Sequence, residues 1–169
     1  MNPEITIANE TTQDFAGIRQ IIEIAFKQAE HSSGTEAEIV EELRNAEALA
    51  VSLVAKSGQE IVGHAAFSPV MIDGKDAEWY GLGPVAVRPD WQRKGIGSKL
   101  IRKGLGHLSD LGGKGCVVLG DPSYYHRFGF ETDAGLKLEG VPPEFFMRLV
   151  LLGPEPKGLV TYHKAFEAE

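Results

Sequence analysis

Apolar and polar positions alternate over Val51, Leu53 and Ala55, turn at Ser57-Gly58, and alternate again over Ile61, Gly63, Ala65 and Phe67. A period of two marks strands that bury one face, and the glycine turn makes these two an antiparallel pair. Ile5 and Ile7 belong to a short first strand. Elsewhere the period is helical. Phe15, Ile18, Ile22, Ala25 and Phe26 form one stripe behind Thr11-Thr12-Gln13-Asp14, a run suited to capping a helix. A polar loop, Glu30-His31-Ser32-Ser33-Gly34-Thr35, interrupts, and Thr35-Glu36-Ala37-Glu38 has the form of a capping box ahead of Ile39, Val40 and Leu43. Asp73-Gly74 signals a second hairpin, leading into a strand over residues 78–87. A further helical stripe follows in Ile96, Leu100, Ile101, Leu105 and Leu108, then a short apolar β run in Cys116-Val117-Val118-Leu119. Val141-Pro142-Pro143-Glu144 breaks the chain, residues 145–152 are mostly apolar, and residues 159–166 read as a last strand. Strands interleaved with helices give an α/β chain.

Composition narrows the classes. At 169 residues with 43% apolar content, the chain can bury roughly 70% of its unfolded surface, so one domain over residues 1–169 is expected. No apolar run approaches the ~18 residues of a membrane span, and the N-terminus lacks a basic-then-apolar signal, so the expected location is the cytoplasm. Cys116 is the sole cysteine and cannot form an intramolecular disulfide, which suits a reducing compartment. Set among Val117 and Val118, it is expected to be a buried, inert thiol rather than a nucleophile. The net charge is -7, yet Arg93, Lys94, Lys99, Arg102 and Lys103 cluster in one short stretch. A basic island in an acidic chain points to a local anionic ligand, against the alternative of a solvated helix face. It is too small a footprint for nucleic acid, and no membrane partner is expected.

Residues 85–108 read as strand, glycine turn and amphipathic helix, the arrangement of a phosphate cradle. Gln92-Arg93-Lys94 leads into Gly95 and Gly97, where a ligand can approach the backbone and the next helix aims its unpaired N–H groups back at the loop. The P-loop pattern is absent, and Leu100 stands where a dinucleotide-binding GxGxxG needs its third glycine. What remains is QxxGxG. About thirty residues on, Tyr125-x-x-x-Gly129-Phe130 follows the Asp121-Pro122 turn, where Asp121 suits a capping or turn role.

The two segments, in this order and spacing, resemble the GNAT superfamily of N-acetyltransferases. The resemblance covers roughly residues 3–152, its specific part residues 79–130. It implies a GNAT fold, a central mixed, mostly antiparallel twisted sheet of about six to seven strands flanked by helices and splayed between strands 4 and 5. It implies acetyl-coenzyme A as co-substrate, with no metal. The pyrophosphate would lie on the loop Gln92, Arg93, Lys94, Gly95, Ile96, Gly97 and Ser98. Val85, Ala86 and Val87 would offer main-chain hydrogen bonds to the pantetheine arm beyond a bulge at Gly81-Leu82-Gly83-Pro84. Read without the resemblance, Gly83-Pro84 could equally end one strand and begin a loop. Tyr125 would be the general acid to the departing thiolate, a role a phenol can fill.

The base is the weakest part of the pattern. Many relatives place a glutamate on strand 4, but residues 79–87 contain no acid. Glu78 at the strand's start and His64 on strand 3 are the candidates, with His64 equally readable as a satisfied, half-buried histidine and water as an alternative route for the proton. The expected function is direct transfer of acetyl from acetyl-coenzyme A to a primary amine, carried by a small molecule or a peptide, in a ternary complex. A coenzyme A-binding module without turnover is the alternative, and a homodimer is left open.

Overall fold

The computed structural model describes residues 4–27 and 34–167; residues 30–33 of the polar loop lie outside them. In chain order the elements are β1 (Ile5–Asn9), α1 (Phe15–Phe26), α2 (Glu36–Asn45), β2 (Val51–Ser57), β3 (Glu60–Ile72) and β4 (Lys75–Val87). They continue with α3 (Ile96–Asp110), β5 (Gly115–Leu119), α4 (Pro122–Tyr125), β6 (Leu136–Lys137), β7 (Phe146–Val150) and β8 (Gly158–Tyr162). The sheet runs β1-β2-β3-β4-β5-β7, while β8 pairs with both β3 and β6. β4 and β5 are parallel, as are β6 and β8; the remaining pairs are antiparallel.

Strand alternation divides the core. Leu53, Ala65, Phe67 and Leu82 pack with Leu100, Ile101, Leu105 and Leu108 of α3. Gly104 lets α3 lie flush on the sheet, since a Cβ there would overlap the Phe67 ring. The opposite face carries Val54, Ala66 and Ala86 against Ile18, Ile21, Ile22 and Val40 of α1 and α2. Farther along that face, Val70 and Ile72 of β3 pack with Trp79, Val117, Leu136, Phe146 and Val160. Among the described residues, no helix is long and apolar enough to cross a membrane.

The central event lies on β4. It pairs with β5 from Trp79↔Gly115 to Leu82↔Val118, and there the pairing stops. β3 stays with β4 through Ala65↔Val85, His64↔Ala86 and Gly63↔Val87, but Gly83 and Pro84 together oppose Ala66 alone. This extra residue is the bulge, and Gly83 at φ +146 takes a backbone conformation other residues rarely adopt. The sheet is therefore splayed between β4 and β5, as expected.

Several local details differ from the sequence reading. Thr11 caps a short 3₁₀ turn ahead of α1, its N–H bonded to Asp14 Oδ2 at 2.8 Å. Thr35 is the N-cap of α2 without a side-chain capping bond, and Glu38 instead takes Arg19 at 2.8 Å. The last strand ends at Tyr162, after which a 3₁₀ turn packs Ala165 against Ile39 and Leu43.

Candidate active site

Beyond Leu82, β4 has a free edge. The Arg88 N–H donates to Val62 O at 2.9 Å, so hydrogen-bonding residues alternate along this stretch of the β3–β4 ladder. By that alternation Ala86 turns its N–H and C=O toward His64, whereas Val85 and Val87 turn theirs into the splay. Of the three strand positions expected to meet a ligand, only those two present backbone to it. Ala86 also buries its side chain on the α1 face.

The strand then runs into the cradle. Gln92 Nε2 donates to the Val87 carbonyl at 3.1 Å, tying the loop to the strand end. Gly95 is the left-handed N-cap of α3 at φ +82, with open space where a Cβ would stand. The first helical bond is Lys99 N–H to Gly95 O at 3.1 Å, which leaves the N–H groups of Ile96, Gly97 and Ser98 without helical acceptors at the positive end of the dipole. These groups border a cavity of about 510 Å³, also lined by Val87, Trp91, Tyr124 and Arg127. Unpaired amides, a Cβ-free approach and nearby cations suit a diphosphate.

The cations divide. Arg102 donates to Arg127 O at 3.3 Å and lies over the Phe128 ring, and Lys103 donates to Ile7 O at 3.3 Å, so both serve packing elsewhere. Arg93 lines the cavity at φ +65, Lys94 lies 5.5 Å from the Trp91 ring centroid, and Arg127 lies 4.5 Å from that of Tyr124. Tyr124, Trp91 and Arg127 were missed from the sequence. The aromatic pair Tyr124-Tyr125 was the one available signal, because residues adjacent on a single helical turn point in different directions.

Those directions assign different surroundings. The Tyr124 hydroxyl lies 3.0 Å from where a Gly97 Cβ would be, directly over the cradle. Tyr125 is half-buried, its ring edge-on to Tyr124 and to Phe130 at 5.0 and 6.0 Å between centroids. It follows β5 at the splay, on a turn capped by Asp121, whose Oδ1 accepts the Ser123 N–H at 2.9 Å. Burial, with smaller effects from Tyr124, Cys116 and Asp121, pushes the Tyr125 phenol up to about 12, so it carries its proton at neutral pH. Cys116 is wholly buried, and burial pushes its thiol well above the ordinary range.

His64 and Glu78 lie elsewhere. His64 is fully buried on the α1 face, its Nε2 2.8 Å from Ser52 Oγ. Ser52 donates to Glu10 Oε1 at 2.6 Å, and Arg44 grips Glu10 with two bonds of 2.9 and 2.8 Å. Burial opposes the Glu10 charge, but Arg44 and Ser52 outweigh it and hold the carboxyl below its usual range. Because the Ser52 proton goes to this carboxylate, Ser52 Oγ receives Nε2–H of His64 and the imidazole keeps a bare Nδ1. That Nδ1 is buried without a partner. Burial, aided by Arg44 and opposed by Glu10, brings the His64 pKa down to about 4. Glu78 sits in an irregularity near the start of β4 at φ +62, its carbonyl accepting the Lys114 N–H at 2.8 Å. At ~3.3 Å per residue it is ~13 Å before Leu82, where the splay begins.

A family model described as the Acetyltransferase (GNAT) family matches residues 15–130. The chain belongs to the GNAT acetyltransferase family. This GNAT chain is 34% identical over 160 residues to the uncharacterized N-acetyltransferase YhbS of Escherichia coli (strain K12), covering 90% of this chain and 93% of YhbS. Among solved structures it is similar to a GNAT family acetyltransferase from Brucella melitensis in complex with acetyl-CoA, at 46% identity and TM-score 0.88, covering 98% of this chain and 99% of that one. YhbS from Escherichia coli in complex with CoA superimposes at TM-score 0.91 and 32% identity, over 99% and 94% of the two chains. A mixed sheet with one parallel pair at its centre and helices on both faces is thus the GNAT fold here as well. Among the described residues, no group of three His, Cys, Asp or Glu side chains is placed to hold a metal.

Proposed function

We propose that this protein transfers acetyl directly from acetyl-coenzyme A to a primary amine while both are bound. The observation that carries the reading is the open edge of β4, whose Val85 and Val87 backbone groups lead without interruption to the amides at the start of α3. An extended arm can complete the edge as a substitute strand while its diphosphate rests on Ile96, Gly97 and Ser98. Gln92, Arg93 and Lys94 supply the tie and the charge.

In this reading the amine nitrogen attacks the thioester carbonyl. As the C–N bond forms and the C–S bond breaks, the thiolate takes the Tyr125 proton, and the nitrogen's surplus proton restores the phenol through water. A phenol with a pKa of about 12 is reliably protonated before the step. The amine enters neutral. Glu78 stands far down the closed part of β4, and a His64 pKa of about 4 makes imidazole a poor partner for an ammonium, so neither removes the proton directly.

Following free thiol with acetyl-coenzyme A and a panel of amines tests the proposal. Amine-dependent thiol release that is lost in Tyr125→Phe supports it. Tight coenzyme A binding with no thiol release for any amine would favour the binding-module alternative.

A further inference from the structure

On the face of the sheet opposite α3, a cavity of about 710 Å³ opens between the segment that follows residue 131 and the strands β7 and β8. That volume suits a compact organic molecule. Its walls are apolar, formed by Leu136, Leu138, Val141, Phe146 and Leu159. Its charged lining is mostly acidic. Asp133 is already held by Lys157 at 3.1 Å and Arg148 at 3.6 Å, which leaves Glu139 and Glu144 against Lys137.

The cavity adjoins the splay. Phe146 is the register partner of Leu119, the last residue of β5, which keeps 45% of its surface exposed. Gly120 follows, and its N–H donates to Phe145 O at 2.9 Å. A Cβ at Gly120 would press on the Tyr125 ring, so the turn that carries the proposed acid is bonded to the residue next to Phe146 of the cavity wall.

A second feature lies beside the splay. Ser68 is fully buried and its Oγ has no hydrogen-bond partner. It pairs with Gly81, one residue before the last β4–β5 contact, and strand alternation puts it on the same face as Val70, Ile72 and Phe146. The Tyr162 ring lies across Gly81, where a Cβ would overlap it.

We infer that this cavity binds the acceptor, and that the acceptor is a primary amine borne on an apolar body. The inference rests on the transfer reading above. The apolar body lies against Leu138 and Leu159, the nitrogen reaches past Phe146 toward the splay and Tyr125, and the acidic rim favours arrival of the cationic form before it sheds its proton.

Calorimetry on the coenzyme A-saturated protein tests the inference without needing turnover, using phenethylamine, ethanolamine and spermidine as probes. Phenethylamine should bind at least tenfold more tightly than either of the others. Leu159→Asn and Leu138→Asn, both at incompletely buried positions, should each weaken phenethylamine at least fivefold and leave ethanolamine unchanged. Ethanolamine or spermidine binding as tightly as phenethylamine would overturn the inference, as would phenethylamine failing to bind or binding both variants undiminished. Thiol release is followed in parallel. Selective phenethylamine binding without turnover sinks acetyl transfer and leaves the cavity's apolar preference standing; turnover without that preference does the reverse.

Discussion

The two halves of β4 have the same neighbour on one side and opposite fates on the other. From Trp79 to Leu82 the strand is held between β3 and β5; from Val85 to Val87 only β3 remains. The closed half is nearly all core, with Trp79, Gly81 and Leu82 buried, and it bears Glu78 in an irregular turn at its start. The open half is half-buried at Val85 and Val87 and ends beside the cradle. The bulge at Gly83-Pro84 separates them. Unpaired backbone in the middle of a sheet is expensive unless something pairs with it. In the proposed function the open half takes the ligand chemistry and the closed half is left to stability.

The largest expected effect lies across the splay from the open half. Tyr125→Phe removes only a hydroxyl and should lower kcat by about 10²-fold or more with coenzyme A affinity little changed, whereas Tyr124→Phe should be mild in kcat. A reversed result would move the acid to the tyrosine that overhangs Gly97.

His64 sharpens the contrast from the buried face. Its pKa falls from 6.5 to about 4 on folding, so the unfolded chain binds the proton first as pH drops. Stability should be intact above about 6.5 and fall between there and about 4, by about 3 kcal/mol in all. His64→Gln should flatten that limb in denaturant titrations run across the range. The acid limb of kcat/KM should survive the substitution, since it follows the acceptor's own amine.

Gly95→Val should weaken coenzyme A at least tenfold, about 1.4 kcal/mol, because valine resists φ +82 and its branches enter the space over the cradle. Calorimetry reads the affinity, and circular dichroism confirms that the variant is folded. Glu78→Gln is the smallest change, within about twofold in kcat/KM at every pH. A large loss there would erase the division between the halves.

Most of the site proposed to carry ligand was legible because it is local. The loop from Gln92 to Ser98, the bulge and the Tyr125 turn are each written in adjacent residues whose backbone demands are specific. His64 was legible as a half-buried histidine but not as a wholly buried one with a bare nitrogen, since that depends on Ser52 of β2, Glu10 just past β1 and Arg44 of α2. Ala86 looked like its neighbours until the register showed which way its amide turns. The two-residue strand β6 has no period of its own and exists only because β8 lies beside it. The mostly apolar stretch after Pro143 gave no period to distinguish helix from strand, and it became β7 by inserting beside β5.

The bond from Gln92 to the Val87 carbonyl is a strut between two surfaces, one proposed to read an extended arm and one proposed to hold an anion. Surfaces braced in this way keep their spacing whether or not a ligand spans them, so a molecule touching both is gauged by its length. A thioester on a truncated arm, such as that of N-acetylcysteamine, would reach the strand and leave the cradle empty. With Gln92→Ala the gauge would slacken, and the preference for full-length over truncated donor would shrink in competition assays even where the full-length donor still binds.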